Sequence, residues 1–370
     1  MRIRPFDYMT WAKAHYFDTE FSLVPSGMAW PTCEDLQVPD VPPFDEVPAS
    51  GPGSLQEHVA TTYDVPIDDV LCSGGSALTN QHVFAALLEA GDEVLIESPA
   101  YELFGCLAST LGVTAKCFHR RPENDFDLDI ADIEAALDPK TKLIVFTTVH
   151  NPTGRLADAA VLRGIGELCE RRGIWALASE VYLDFVTGTT VAADGTPPTR
   201  RFANHVHPRL LSSNSMTKVY GLGSVRIGWM FGDPAVVARC HDVREALAPL
   251  LPALPVAVTV EALRRRAHLL GRARTTATSG RAILREFLAD ADGFELVEPQ
   301  AGIMAFVRVD GVTKTAAFSD WLRETQGVGV VPGEHFGAPG WLRIGYGVPQ
   351  DRLREGLARL VRARSAWPGR

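Results

Sequence analysis

The chain has 370 residues, 46% of them hydrophobic and 22% charged, with a formal charge of −9 and a pI near 5.6. That is enough chain for two packed units rather than one small core. The acidic balance argues against a nucleic-acid partner, which would want a basic patch, and no apolar run is long enough to span a bilayer.

The opening MRIRPFDYMTWAKAHYF lacks the apolar stretch of a secretory leader. The six cysteines, Cys33, Cys72, Cys106, Cys117, Cys169 and Cys240, include no C-x-x-C pair, so neither a metal site nor a redox motif is expected. Their usage fits buried free thiols in a reduced, cytoplasmic protein. Residues 1–50 are Pro-rich and read as an irregular arm that packs with the C-terminal part of the chain. From Gly53 onward, short apolar strands alternate with amphipathic helices. VLCS, GDEVLIES, LGVTAKCF, KLIVFTT, GIWALAS and RLLSSN are the predicted strands, and ALTNQHVFAALLEA is a predicted helix. Such alternation implies an α/β fold with a mostly parallel sheet covered on both faces. After Asp233 the pattern is helical, broken at prolines, and then returns to strands at FELVEP, GIMAFVRV and WLRIGYG. These form a smaller α/β unit. The boundary falls between residues 233 and 265, giving segments 1–50, 51–245 and 246–370.

In an open parallel sheet, ligands collect at the carboxyl ends of the strands, and four motifs fall there. SGGSALTN (Ser73–Asn80) ends a strand in two glycines and opens a helix. Its Gly75 turn leaves the Ser76 and Ala77 N–H groups to face an anion at the positive end of the helix dipole. HNPTGRL follows KLIVFTT with an Asn-Pro-Thr-Gly turn. Taken alone, each of these two is equally a plain turn. ASEVYLDF follows GIWALAS. The fourth motif, SNSMTKVYGLGSVRIGWM, carries Lys218, one of only six lysines in the chain. Ser215 and Arg226 beside it suit a phosphate, by hydroxyl and by guanidinium fork. Arginine stays protonated. A lysine amine among Gly221, Leu222, Gly223 and a strand-like VRIGWM can instead lose its proton and attack a carbonyl, giving a Schiff base.

In order along the chain, Gly75-Ser76, Tyr101 in SPAYELF, NPTG, SEVY, SMTK, Arg226 and WLRIGYG resemble the class I/II aminotransferase family. These are fold type I enzymes that depend on pyridoxal 5'-phosphate (PLP). The resemblance covers nearly the whole chain, and WAKAHYF, VVPGEHFG and LRIGYG are similar to a branch that includes capreomycidine synthase. It implies a large PLP-binding domain with a mostly parallel sheet, a smaller α/β domain, a free α-amino acid substrate and a homodimer with its active sites at the subunit interface. It also implies roles. Lys218 forms the Schiff base and moves the proton at the substrate α-carbon. The Ser76 and Ala77 N–H groups beyond Gly75, with Ser215 and Arg226, hold the phosphate. Tyr101 stacks on the pyridine ring. Asn151 and Tyr182 hydrogen-bond the phenolic oxygen, which makes Tyr182 a partner of Lys218 in catalysis. Arg343, beside Asn151, pairs with the substrate carboxylate.

The chain departs from the family in two places. Ser179 stands where the family has an aspartate at the pyridine nitrogen. A carboxylate there keeps that nitrogen protonated and the ring a strong electron sink, which a neutral serine does not. Two readings follow: chemistry that ends in elimination, replacement or cyclisation, or a transaminase in which water or another acid, such as Glu180, serves. The second departure is around FDEVPASGPG, which has Glu46 in place of a tyrosine that reaches the partner subunit's phosphate, and Leu55-Gln56 in place of Leu-Arg. Met28, Trp30, Glu46 and His335 are candidate side-chain contacts for the substrate, with packing the expected role of Met28 and Trp30. Residues 1–50 are too short and Pro-rich for the winged helix of a PLP-sensing regulator. Retention of Lys218, Arg226, Asn151, Tyr182 and Arg343 argues against an inactive scaffold.

Overall fold

A computed structural model describes residues 4–16, 18–36, 53–186, 202–289 and 291–369. Its strands, in chain order, begin with β1 (Phe21–Ser22), β2 (Val70–Ser73), β3 (Glu93–Ser98), β4 (Thr114–His119) and β5 (Thr141–Thr147). They continue with β6 (Trp175–Ser179), β7 (Leu210–Ser215), β8 (Gly228–Phe231), β9 (Phe294–Val297) and β10 (Met304–Val309). The last are β11 (Val328–Gly329), β12 (Val331–Pro332) and β13 (Trp341–Gly345).

Seven strands form one sheet in the order β2-β8-β7-β6-β5-β3-β4. All neighbours are parallel except β8, which runs antiparallel to both β2 and β7. The central strands carry apolar runs, Leu143–Phe146 in β5 and Trp175–Ala178 in β6, because both faces are covered there. Leu143 and Val145 of β5 enter one core with Leu177 and Leu211, while Ile144 and Phe146 enter the opposite core with Ala176 and Ala178. A four-stranded antiparallel sheet, β12-β13-β10-β9, follows in the C-terminal part.

Helices start where the sequence supplies caps. Ser54 accepts from the Glu57 N–H, Asp158 from Ala160 and Asp233 from Ala235, and Pro234 opens its helix at a position that needs no N–H donor. After Asp233 the chain runs through helices Pro234–Leu247, Ala253–Arg264 and Arg266–Leu288, interrupted near Pro252.

The N-terminal arm is more regular than its composition suggests. Asp7–His15 is a helix, with Asp7 in its first turn and Lys13 and His15 in its last, charges that complement the helix dipole. Its buried residues, Tyr8 and Ala12, lie four apart on one face. They pack with Val297, Phe306, Val331, Phe336 and Trp341. Tertiary burial of a single stripe thus makes a helix from a short segment of modest propensity. Downstream, β1 pairs in parallel with β11. Glu46 lies outside the described residues.

Candidate active site

The sheet order brings four strand ends to one edge. Because β8 is antiparallel, its first residue, Gly228, pairs with the last residues of both neighbours, Ser73 of β2 and Ser215 of β7. Ser213 of β7 pairs with Ser179, the last residue of β6, which pairs with Thr147, the last residue of β5. The turns after these ends carry Gly75, Ser76, Asn151, Tyr182 and Lys218.

The Gly75 turn packs closely against Arg226 and Gly228. Helix Ser76–Leu87 starts at Gly75, which has φ +93° and no side-chain cap. The Ser76 and Ala77 N–H groups therefore have no acceptor within their own helix. A Cβ on Gly75 would lie 2.6 Å from Arg226 Nη2, and one on Gly228 would lie 2.6 Å from the Ser76 N. Arg226 itself adopts a left-handed backbone (φ 55°, ψ 44°), a conformation costing a non-glycine residue on the order of 1 kcal/mol. Its guanidinium contacts the Gly223 carbonyl at 3.4 Å. Ser215 is buried, with its Oγ accepting from the Thr217 N–H at 3.4 Å. The arrangement gathers a helix N-terminus, a hydroxyl and a guanidinium, the set that grips a phosphate.

Lys218 follows at the next level. Its Nζ donates to the Ser26 Oγ at 3.1 Å and lies 5.9 Å from the centre of the Tyr182 ring. Burial, with Arg343 and Arg226 nearby, pushes its ammonium from 10.5 down to about 8, against an opposing effect of Tyr8. Tyr182 is buried, and Ser26 is the side chain beside its hydroxyl, which makes no bond of full hydrogen-bond geometry among the described residues. A buried hydroxyl held this loosely can take a ligand oxygen as its partner.

Arg343, on β13, is fully buried. Its Nη1 donates to Asn151 Oδ1 at 3.3 Å, and its Nη2 donates to the Tyr8 hydroxyl at 2.9 Å and the Val24 carbonyl at 2.8 Å. The rings of Tyr8 and Phe336 lie 5.5 and 5.2 Å from its guanidinium carbon. Its Nε has no partner, and among the described residues no carboxylate pairs with it. An uncompensated buried cation is costly, and a ligand carboxylate removes the deficit.

Asn151 is held by the turn it begins. His150 Nδ1 meets Thr153 Oγ1 at 2.8 Å and its Nε2 meets the Pro99 carbonyl at 2.9 Å. Gly154 has φ +73°, and a Cβ there would meet the Met304 carbonyl at 2.7 Å. Tyr101, two residues beyond Pro99, packs edge-on against Phe6 and Tyr8 at 5.4 and 5.5 Å.

Ser179 is buried at the end of β6. The neighbouring Glu180 turns elsewhere. Its Oε2 accepts from the Ala203 N–H at 3.0 Å, and burial raises its carboxyl to about 7. That contact holds Glu180 against helix Ala203–Val206. Gln56, the other departure, ties its helix to the sheet, donating to the Ile67 and Val70 carbonyls, each at 2.9 Å. Met28 is buried in the core, but Trp30 is 72% exposed and not packed as expected, because the strap it ends runs out over the surface, where Arg272 holds its carbonyl. His335 packs beside Tyr8 and Trp11.

Three groups of residues at the site have no signature in the sequence. Tyr8 reaches Arg343 across 335 positions of chain, and Ser26 reaches Lys218 across 192. The third is a buried network centred on Asp184. Its Oδ2 accepts from Tyr63, Tyr220 and Asn214 at 2.8, 3.0 and 3.1 Å, and its Oδ1 pairs with Arg266 Nη2 at 2.7 Å. Asn214 Oδ1 in turn accepts the Ser215 N–H at 2.7 Å.

Residues 48–360 match the family described as aminotransferase class I and II. Capreomycidine synthase of Streptomyces vinaceus is 29% identical over 360 residues, covering 94% of this chain and 90% of that protein. Arginine–pyruvate transaminase of Pseudomonas aeruginosa is 26% identical, over 84% and 80%. Among solved structures, a PLP-dependent aminotransferase from Streptococcus suis superposes with a TM-score of 0.85 at 23% identity, over 98% of both chains. Aspartate aminotransferase from Thermus thermophilus with maleate superposes with a TM-score of 0.83 at 22% identity, over 97% of both. The uncapped helix beneath Arg226 and the loosely held Tyr182 hydroxyl fit the phosphate and phenolic oxygen of PLP. The chain belongs to the class I and II aminotransferase family of PLP-dependent enzymes.

Proposed function

We propose that this enzyme transforms a free α-amino acid, with Lys218 as the lysine that binds PLP and moves the substrate proton. The observation that carries this reading is the pairing of two unusual cations around one strap of chain. Lys218, pushed down to about 8, bonds Ser26, and Arg343, buried without a carboxylate, bonds Val24 two residues earlier.

Bound PLP supplies an aldehyde for covalent attachment to an amine and an electron-withdrawing ring that eases loss of the α-proton. The protein's part is binding, orientation and proton transfer. Ser76 and Ala77 N–H groups, Ser215 and Arg226 hold the phosphate. Tyr101 covers the ring, and Asn151 and Tyr182 hold the phenolic oxygen. Arg343 takes the substrate carboxylate in its fork, which fixes the α-carbon relative to Lys218. A lysine titrating near 8 keeps a usable neutral fraction at neutral pH, as a base and a nucleophile require. In this reading residues 51–245 carry the cofactor and residues 246–370 supply Arg343.

Aminotransfer is the reading the family supports. A second reading, elimination, replacement or cyclisation at the side chain, draws support from Ser179 and from Glu180 being held at Ala203. A neutral partner at the ring nitrogen weakens the electron sink. The likeness to capreomycidine synthase points the same way. One experiment separates these. PLP-loaded enzyme is mixed with pooled free amino acids and no keto-acid acceptor. Accumulating pyridoxamine phosphate with a matching keto acid means aminotransfer. PLP that persists while an amino acid disappears means the second reading. If no amino acid is consumed, both readings fail.

A homodimer is part of the proposal. Leu247, Leu250 and Leu254 are 61%, 82% and 46% exposed within eight residues, an apolar set suited to a partner subunit. Sedimentation at twice 40.2 kDa is expected, and a monomer at assay concentration would contradict it. The six unpaired cysteines support a reduced, cytoplasmic setting, and among the described residues no helix is long and apolar enough to cross a membrane.

A further inference from the structure

We propose that Ser26 is a further catalytic residue, a hydroxyl that anchors the free Lys218 amine and aims its lone pair; this rests on the reading of Lys218 given above. Ser26 is 2% exposed and its Oγ lies 3.1 Å from Lys218 Nζ. Among the described residues it is the acceptor that this nitrogen has. The side chain is not there by accident of a loose loop, because the strap that carries it is fixed on both sides. Before Ser26, the Leu23 N–H donates to Gly329, the Leu23 carbonyl accepts from the Gly345 N–H at 2.7 Å, and the Val24 carbonyl accepts from Arg343. After it, the Met28 N–H donates to the Lys218 carbonyl at 2.9 Å, and Arg272 holds the Ala29 carbonyl. The approach is close enough to demand glycine on the facing surfaces. A Cβ on Gly345 would lie 1.9 Å from the Pro25 carbonyl, and one on Gly221, which has φ +71°, would lie 2.5 Å from the Ala29 carbonyl.

The chemistry follows from the geometry of an amine. A neutral lysine has two N–H bonds and one lone pair, and rotation about the Cε–Nζ bond sets where the lone pair points. Donating one N–H to a fixed oxygen removes that freedom. A serine oxygen is neutral, so it can accept this bond without the charge that would hold the proton on the amine. A carboxylate in the same place would raise the lysine and defeat its use as a base. Among the described residues, the groups that face Nζ are Tyr8 from the N-terminal helix, Arg343 from β13, Arg226 from the turn before β8 and Tyr182 after β6, and no carboxylate is among them. Ser26 thus supplies orientation while burial, with the nearby cations, keeps the ammonium ready to lose its proton.

The test uses Ser26→Ala and, as a variant that keeps the oxygen, Ser26→Thr. In cofactor-free protein, the pH dependence of Lys218 acylation is read by peptide mass spectrometry. An ammonium loses more than an amine when its acceptor is removed, so the half-point in Ser26→Ala is expected to fall below the parent's, and Ser26→Thr to restore it. In loaded enzyme, Ser26→Ala is expected to lower kcat about tenfold to a hundredfold with KM changed less than about twofold. The pH titration of the cofactor's visible absorption is expected to shift with it. A Ser26→Ala protein that melts with the parent and matches it in acylation, absorption titration and kcat overturns the proposal. If the parent itself fails to capture PLP on Lys218, it is the underlying reading of the site that fails. If Ser26→Ala unfolds, the Ser26→Thr acylation profile decides: a parent-like half-point and kcat support the proposal, and a kcat loss with an unshifted half-point overturns it.

Discussion

Arg343 and Glu180 show what burial does to two opposite charges. Arg343 is kept charged among oxygens that are all neutral, which is why we propose it as the site of the substrate carboxylate. Replacing it with lysine keeps the charge but loses the planar fork. We expect Arg343→Lys to raise KM for the amino acid by about 30-fold or more, on the scale of a lost charged pair, with a smaller change in kcat. An unchanged KM would place the carboxylate elsewhere. Glu180 has no cation and sits at about 7 because of desolvation. Its folded value lies above the ordinary 4.5, so between about 4.5 and 7 the folded chain binds more protons than the unfolded one. Its contribution is fully present below 4.5 and is lost as pH rises through 7. Urea unfolding of Glu180→Gln is expected to lack that decline, and a parent-like slope in the variant would rule the assignment out.

At the scale of elements, the Asp184 network ties together parts of the chain that no local pattern links. It joins helix Leu55–Tyr63 through Tyr63, β7 through Asn214, the segment after Lys218 through Tyr220 and helix Arg266–Leu288 through Arg266. Through Asn214 it also holds the Ser215 N–H, beside the proposed phosphate site. Asp184→Ala removes the carboxylate shared by Tyr63, Tyr220, Asn214 and Arg266, although Tyr63 and Tyr220 still bond each other at 2.9 Å and Arg266 Nε still reaches the Tyr220 hydroxyl at 3.2 Å. Breaking such a centre costs about 3 kcal/mol, the low end for buried pairs because Arg266 keeps some solvent contact. Equilibrium unfolding in urea, together with a weakened PLP affinity, is the check, and a midpoint within error of the parent would show the network to be idle. The strands of the large sheet were legible because short apolar runs such as LIVF and IWALA report burial on both faces. The helix Asp7–His15 was not, because its burial depends on Phe306, Phe336 and Trp341, hundreds of residues away.

For the molecule as a whole, the same division holds. Motifs at strand ends announce chemistry because the sheet edge collects them whatever the rest of the chain does, and NPTG, SEVY and SMTK are found at that edge. Residues that reach the site by tertiary folding alone, Tyr8 and Ser26 above all, carry ordinary local sequence and become visible only when the N-terminal strap is laid across β13. The account stands or falls on Lys218. The most direct measurement is borohydride reduction of PLP-loaded enzyme, with and without a free amino acid substrate, followed by peptide mapping. We expect the reduced cofactor on Lys218 without substrate, and its transfer from Lys218 to the amino acid's nitrogen when substrate is present. A label on any of the other five lysines, or a Lys218 label unaffected by substrate, would contradict it.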